Sequence, residues 1–233
     1  MRRFFGRLEK EKIIIENEEF NHLKNVLRLG VGAEVVISLN DEYDYFCLVD
    51  KVGKNFAECK INGKQICPAN PQKNIVLFQA IPKGPKFDFI LQKATEIGIT
   101  RVVPFLTEYC VAKSVDKKNR YDAVFANACK QCERSIMPVL DKTRSVKEVA
   151  EMFGDFDIVL FANERTNTSD KVKNLEKYKN IAIIVGAEGG FSQAEKELFV
   201  EKGATSVSLG KRIFRCETAA VAMMSLVSIL SGN

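Results

Sequence analysis

Between Lys12 and Cys67 the apolar residues come in short runs, broken at regular intervals by turn residues. Ile13-Ile14-Ile15, Glu34 to Leu39, Tyr45 to Val49 and Phe56 to Ile61 read as β-strands. Asn40-Asp41, Gly53-Lys54-Asn55 and Asn62-Gly63 separate them at the spacing of a small barrel or sandwich. One short helix, around Glu18 to Arg28, interrupts the series. The stretch from Cys67 to Lys73 combines two prolines with polar residues, which reads as a linker and sets the domain boundary.

Beyond the linker the rhythm becomes strand, loop, helix. Strands are predicted at Asn74 to Ile81, Arg101 to Phe105, Asp157 to Ala162, Ile181 to Val185 and Ser206 to Leu209. The intervening helices are Phe87 to Gly98, Asn119 to Met137 and Ser145 to Phe153; the first carries Ile90, Ala94 and Ile97 on one face and is stopped by Gly98. This alternation predicts a parallel sheet covered by helices. Ligands of such sheets bind beyond the carboxyl ends of the strands, which selects the loops after Ala162, Val185 and Leu209. The longest apolar stretch, Thr218 to Leu230, falls short of the roughly 20 residues of a membrane span and is interrupted by Ser225 and Ser228, so it reads as a buried helix.

Composition narrows the class. With 46% hydrophobic and 28% charged residues among 233, the chain has the make-up of a folded globular protein rather than a disordered one. A net charge of +5 is compatible with a nucleic-acid partner without requiring one. His22 is the only histidine, so any general base must be sought among other side chains. Seven cysteines, odd in number and without framework spacing, read as reduced thiols of a cytoplasmic protein. Cys129 and Cys132 form a single Cys-x-x-Cys with no second pair or nearby histidine, which fits packing better than zinc, and no metal is expected. No apolar core follows the basic start Met1 to Arg7, so no export signal or membrane association is expected.

Two loops carry unusual chemistry. After the strand ending at Val185 comes Gly186-Ala187-Glu188-Gly189-Gly190-Phe191-Ser192, with glycines that allow close backbone approach and a Ser192/Glu195 capping box opening a helix. Such a helix start favours an anionic or polar ligand, although an ordinary β-to-α turn can be written the same way. The loop matches neither the Gly-x-Gly-x-x-Gly dinucleotide fingerprint nor a Walker loop. The second loop, Leu209 to Ala219, packs Lys211, Arg212, Arg215 and Glu217 into the approach to an apolar helix. Those charges either serve a site or pair with one another.

Together, Gly186-Ala187-Glu188-Gly189-Gly190-Phe191-Ser192 and Leu209-Gly210-x-x-Ile213-Phe214-Arg215-x-Glu217-Thr218-Ala219 resemble the signature of the 16S ribosomal RNA uracil-N3 methyltransferases, a branch of the knotted SPOUT methyltransferases. Lys86 to Gly98 with Pro104, Gln131-x-x-Arg134-x-x-x-Pro138, and His22 to Gly32 are similar to further motifs of that family, in the same order. Ala187 stands where the family usually has proline, and Phe214 where it usually has leucine.

The resemblance implies an α/β fold: a doubly wound parallel-sheet domain with a trefoil knot at residues 73–233, preceded by a PUA-like RNA-binding β-barrel at 1–70. It implies a homodimer, S-adenosylmethionine as cofactor and ribosomal RNA of the small subunit as substrate. The cofactor would be held near Phe161, Gly186, Gly189, Leu209, Gly210, Ile213 and Phe214. Glu188 or Glu217 would accept the uracil N3 proton and Arg215 would stabilise the anionic base. Arg2, Arg3, Arg7, Lys24, Arg28 and Arg134 would contact the RNA. A knotted methyltransferase of transfer RNA or of a ribose 2′-hydroxyl, and a non-catalytic RNA-binding protein, are the alternatives. The first differs in its product nucleoside and the second would have no need of the glycine-rich loop.

Overall fold

The computed structural model describes residues 2–111, 118–163 and 172–233. The chain forms two compact units, one of residues 1–70 with 129–137, the other of 71–128 with 138–233.

The first unit is built on a six-stranded sheet of β1 (Arg2–Phe5), β2 (Arg7–Glu9), β3 (Lys12–Glu16), β4 (Glu34–Ser38), β5 (Tyr43–Val52) and β6 (Phe56–Ile66). The strand order is β1-β4-β5-β6-β3-β2, antiparallel except for the parallel pair β1 and β4. Its core gathers Phe4, Ile13, Ile15, Leu23, Val35, Ile37, Val49 and the thiols Cys47 and Cys59. Burial pushes Cys59 up to about 12 and Cys47 up to about 11, so both behave as small apolar groups. The predicted helix at 18–28 is split into α1 (Asn17–Asn21) and a π-helical turn His22–Val26. There the Leu27 amide donates to the carbonyl of His22 at 2.9 Å, and the left-handed Arg28 at φ 53° ends the turn. The His22 ring packs on Phe4, 5.8 Å between centroids.

The second unit is a seven-stranded, wholly parallel sheet. Its strands are β7 (Asn74–Ala80), β8 (Arg101–Leu106), β9 (Val139–Leu140), β10 (Arg144–Ser145), β11 (Ile158–Ala162), β12 (Asn180–Val185) and β13 (Thr205–Val207). They run in the order β10-β8-β7-β12-β11-β13, with β9 also beside β8. The central strands are apolar on both faces, as a sheet covered twice requires. Val76, Phe78, Ala182 and Ile184 join Phe105, Phe153, Phe161 and Phe199 in one cluster, under α4 (Val146–Glu151) and α5 (Gln193–Glu201). The alternate residues Ile75, Leu77, Ile181 and Ile183 are fully buried too. Helices α2 (Lys86–Ile97) and α6 (Cys216–Ser231) pack on each other, and α6 also packs on β7 and β12.

Helix α3 (Lys118–Cys132) ends five residues before the predicted Met137, because Glu133 takes a left-handed φ of 66°. The residues beyond it pack with the first unit. There the Asn70 side-chain carbonyl accepts the amides of Ser135 and Ile136, at 3.1 and 3.2 Å, and the Ser135 hydroxyl donates to the carbonyl of Asp41 at 2.6 Å. Among the described residues no helix is long and apolar enough to cross a membrane, and no three His, Cys, Asp or Glu side chains are grouped to hold a metal ion.

Candidate active site

A cleft of about 380 Å³ opens in the second unit at the carboxyl ends of β11 and β12. Its walls are the end of β11 at Ala162 and Asn163, the glycine-rich loop after β12, the arginine-rich loop Leu209 to Cys216, and Lys86 at the start of α2. Of the loop after Ala162, residues 164–171 lie outside the described residues. The strand order explains the convergence. β12 and β11 are neighbours and β13 flanks β11, so their carboxyl ends release chain to one side.

The glycine-rich loop closes on itself through the Gly190 amide, which donates to the carbonyl of Ala187 at 3.0 Å. Gly190 sits at φ 64° and Gly210, in the facing loop, at φ 114°; both conformations suit glycine, and among the described residues none but the adjoining ones comes within 4 Å of where a Cβ would stand at either. Both also line the cleft, which leaves room for a ligand against bare backbone. Ser192 and Glu195 form the capping box at the start of α5. The Glu195 carboxylate also accepts the Glu108 amide at 2.8 Å, tying this loop to the chain after β8.

Of the residues expected to hold a cofactor, Gly186, Leu209, Gly210, Ile213 and Phe214 line the cleft. Phe161 does not. Its position in β11 points to the core, where its ring meets Phe191 and Phe199 edge-on, and Ala162 and Asn163 line the wall instead. Gly189 does not line it either, because its α-carbon faces Tyr109. Glu188 and Arg215 line the cleft, while Glu217 lies just outside it, on the first turn of α6.

Sequence reasoning placed Lys86 in a motif but not in the site. The signal was its position: it follows the loop at the carboxyl end of β7, the central strand next to β12. Its ammonium donates to Glu188 Oε1 at 2.8 Å and lies 3.5 Å from Glu217 Oε2. The Lys83 amide donates to both Glu188 oxygens, at 3.2 and 3.3 Å. Burial pushes the Glu188 carboxyl up, but the hydrogen bonds from Lys86 and Lys83 outweigh it and hold the group below the usual carboxylate range. Glu217 is lowered as well: burial again acts upward, and hydrogen bonds from its own amide and from Cys216, with the charge of Lys86, act downward. The Glu188 bond in turn raises Lys86. Both carboxylates are therefore ionised at neutral pH. The Cys216 thiol, which donates to Glu217 at 3.1 Å, is pushed up to about 12, mainly by burial, and is no nucleophile.

The basic residues of the first unit divide into two groups. Arg2, Lys24 and Arg28 are exposed. Arg7 is exposed as well, paired with Glu9 at 2.6 Å and Glu16 at 2.9 Å. Arg3 differs: its guanidinium makes a bidentate pair with Asp44, at 2.6 and 2.9 Å, with side-chain exposures of 9% and 6%. Arg134 is 2% exposed. Neither of these two offers a charge at the surface.

The profile of the family described as the RNA methyltransferase domain matches residues 68–228. The chain belongs to this family. A second profile, the RNA methyltransferase PUA domain, matches residues 15–62. The chain is 30% identical to the ribosomal RNA small subunit methyltransferase E of Mesomycoplasma hyopneumoniae, over 97% of this chain and 98% of the relative. It is 28% identical to the protein of the same name from Bacillus subtilis, over 98% and 96%. The crystal structure of the Neisseria gonorrhoeae ribosomal RNA small subunit methyltransferase E bound to S-adenosyl methionine superposes with a TM-score of 0.86 at 25% identity, covering 99% of this chain and 98% of that one. The doubly wound parallel sheet and its small β-rich companion are thus the architecture of a known RNA-modifying family.

Proposed function

We propose that the chain methylates N3 of a uridine in 16S ribosomal RNA of the small subunit, with S-adenosylmethionine as methyl donor. The observation that carries this reading is the meeting of the glycine-rich and arginine-rich loops on one cleft, in a chain of the RNA methyltransferase family whose relatives are named for the small-subunit RNA. The donor supplies an electrophilic methyl group on a sulfonium. Backbone at Gly186, Leu209, Gly210, Ile213 and Phe214 would hold it, with Gly189 and Phe161 supporting those walls from behind.

The remaining tasks belong to side chains. N3 of uracil must lose its proton before it can attack, and Glu188 and Glu217 are the ionised carboxylates at hand. The exposed Arg215 at the cleft stabilises the negative charge that the base then carries. Arg2, Arg7, Lys24 and Arg28 hold the RNA backbone without reading its sequence. The chain works in the cytoplasm, where its substrate is, and as a homodimer through the outer stripe of α6, where Ile229 is 78% exposed beside Leu230.

The test is incubation with labelled S-adenosylmethionine and small subunits lacking their methylations, followed by digestion and identification of the labelled nucleoside. Label in 3-methyluridine is expected. Label in another nucleoside or in a ribose would move the protein to a sister activity, and absence of both label and cofactor binding would leave an RNA-binding protein.

A further inference from the structure

Two carboxylates beside one cleft pose a question that the reaction alone does not answer: which of them takes the proton. Lys86 stands between them, one ammonium for two negative charges, so the cluster holds one carboxylate in surplus. The sharing is unequal. Each carboxylate accepts its own amide, but Glu188 also receives Lys86 Nζ at 2.8 Å and the Lys83 amide on both oxygens, whereas Glu217 has Lys86 at 3.5 Å and the weak thiol donor Cys216 at 3.1 Å. A carboxylate with its lone pairs committed to a cation and an amide is a poor proton acceptor; one held loosely is a better one.

We propose that Lys86 is a positioning residue that divides the work between the two acids: it locks Glu188 into an ion pair and leaves Glu217 to accept the N3 proton of the uracil. This rests on the uracil-N3 reading above. The N3–H bond breaks and its proton goes to Glu217. The nitrogen's electron pair then forms the N–CH3 bond as the carbon–sulfur bond of the sulfonium breaks, its pair remaining on sulfur. Glu217 releases its proton to water. The Lys86–Glu188 pair stays neutral throughout, so only the surplus charge of the cluster changes.

Lys86 from α2, the Cys216 thiol and the amide of Glu217 itself, both from α6, set the protonation of Glu217, and the charged groups Glu188, Arg212 and Arg215 line the neighbouring cleft. Lys86→Met removes the one cation shown bridging the acids. The expected result is an acid limb of the kcat profile displaced to higher pH, and recovery of the wild-type limb in Lys86→Arg. Glu217→Gln should lose on the order of 10² or more in kcat, the usual worth of a general base, while Glu188→Gln loses less than about tenfold.

A Glu188→Gln loss as large as that of Glu217→Gln, or a Lys86→Met limb that does not move in a variant that still binds cofactor, overturns the proposal. If Lys86→Met does not fold, the comparison of the two Gln variants decides alone. The wild-type product separates this from failure of the underlying reading: without 3-methyluridine from the unaltered protein the reading itself falls, whereas with it only the assignment of the acids is at stake.

Discussion

A Cβ placed on Gly189 would lie 2.4 Å from the Cβ of Tyr109. The two residues belong to different connections, one after β12 and one after β8, and the missing methyl lets these loops seat against each other. Gly189→Ala must therefore push them apart. It should cost about 1–3 kcal/mol, as overpacking does, and weaken S-adenosylmethionine binding. In a Tyr109→Gly background the same change should cost little, which urea unfolding and calorimetric titration of the four-member set will measure.

The Glu195 carboxylate receives the amides of both Ser192 and Glu108. Ser192→Ala removes one cap and should cost about 1 kcal/mol. Glu195→Ala orphans two amides at once and should cost more, roughly 1–3 kcal/mol per donor left unsatisfied. Equal losses for the two variants in denaturant midpoints would show that the tie to Glu108 contributes nothing.

Exposed and buried arginines of the first unit should fail in different assays. Arg2→Glu or Arg28→Glu should weaken RNA binding and reduce the slope of log affinity against log salt by about 1 per lost phosphate contact, with little change in stability. Asp44→Ala strands the Arg3 guanidinium in a site where it has 9% exposure and should cost about 3–5 kcal/mol. Urea unfolding and salt-titrated binding separate the two classes.

Asp141 accepts hydrogen bonds from Arg144 at 3.1 Å and from Arg101. Burial pushes its carboxyl up, but the two guanidinium groups prevail and hold it below its ordinary value of 3.8. A depressed acid stabilises the fold above its unfolded value, and that contribution disappears as pH falls through the folded one. Stability should therefore decline on acidification below 3.8, and less steeply in Asp141→Asn, as seen in unfolding midpoints at pH 7 and pH 3.

Ile229→Asp should convert a dimer into a monomer in sedimentation experiments without lowering the unfolding midpoint, since the side chain is 78% exposed in the single chain. A monomeric wild-type protein would refute the assembly.

The parallel sheet was legible in the sequence because its strands, apolar on both faces and separated by helices, leave a pattern that survives without tertiary information; Asn180 to Val185 is the clearest case. β1 and β2, of four and three residues and rich in arginine, carry no such pattern and are strands only because β4 and β3 pair with them. The glycine-rich loop was readable as a special backbone, but the reason for Gly189 was not, since Tyr109 lies 80 positions earlier in the chain. Burial of Arg3 and Arg134 was hidden for the same reason. A basic residue looks like a surface residue until its partner from a distant strand is known.

Residues 129–137 belong to the first unit although about sixty residues of the second precede them. Recombination or proteolysis at the linker alone would therefore not release a finished N-terminal module: a piece ending at Asn70 would carry an amide whose partners, Ser135 and Ile136, stayed behind. A module exchanged into this chain by a single crossover at the linker would have to meet residues 129–137 of the original unit, left behind in the remainder of the chain.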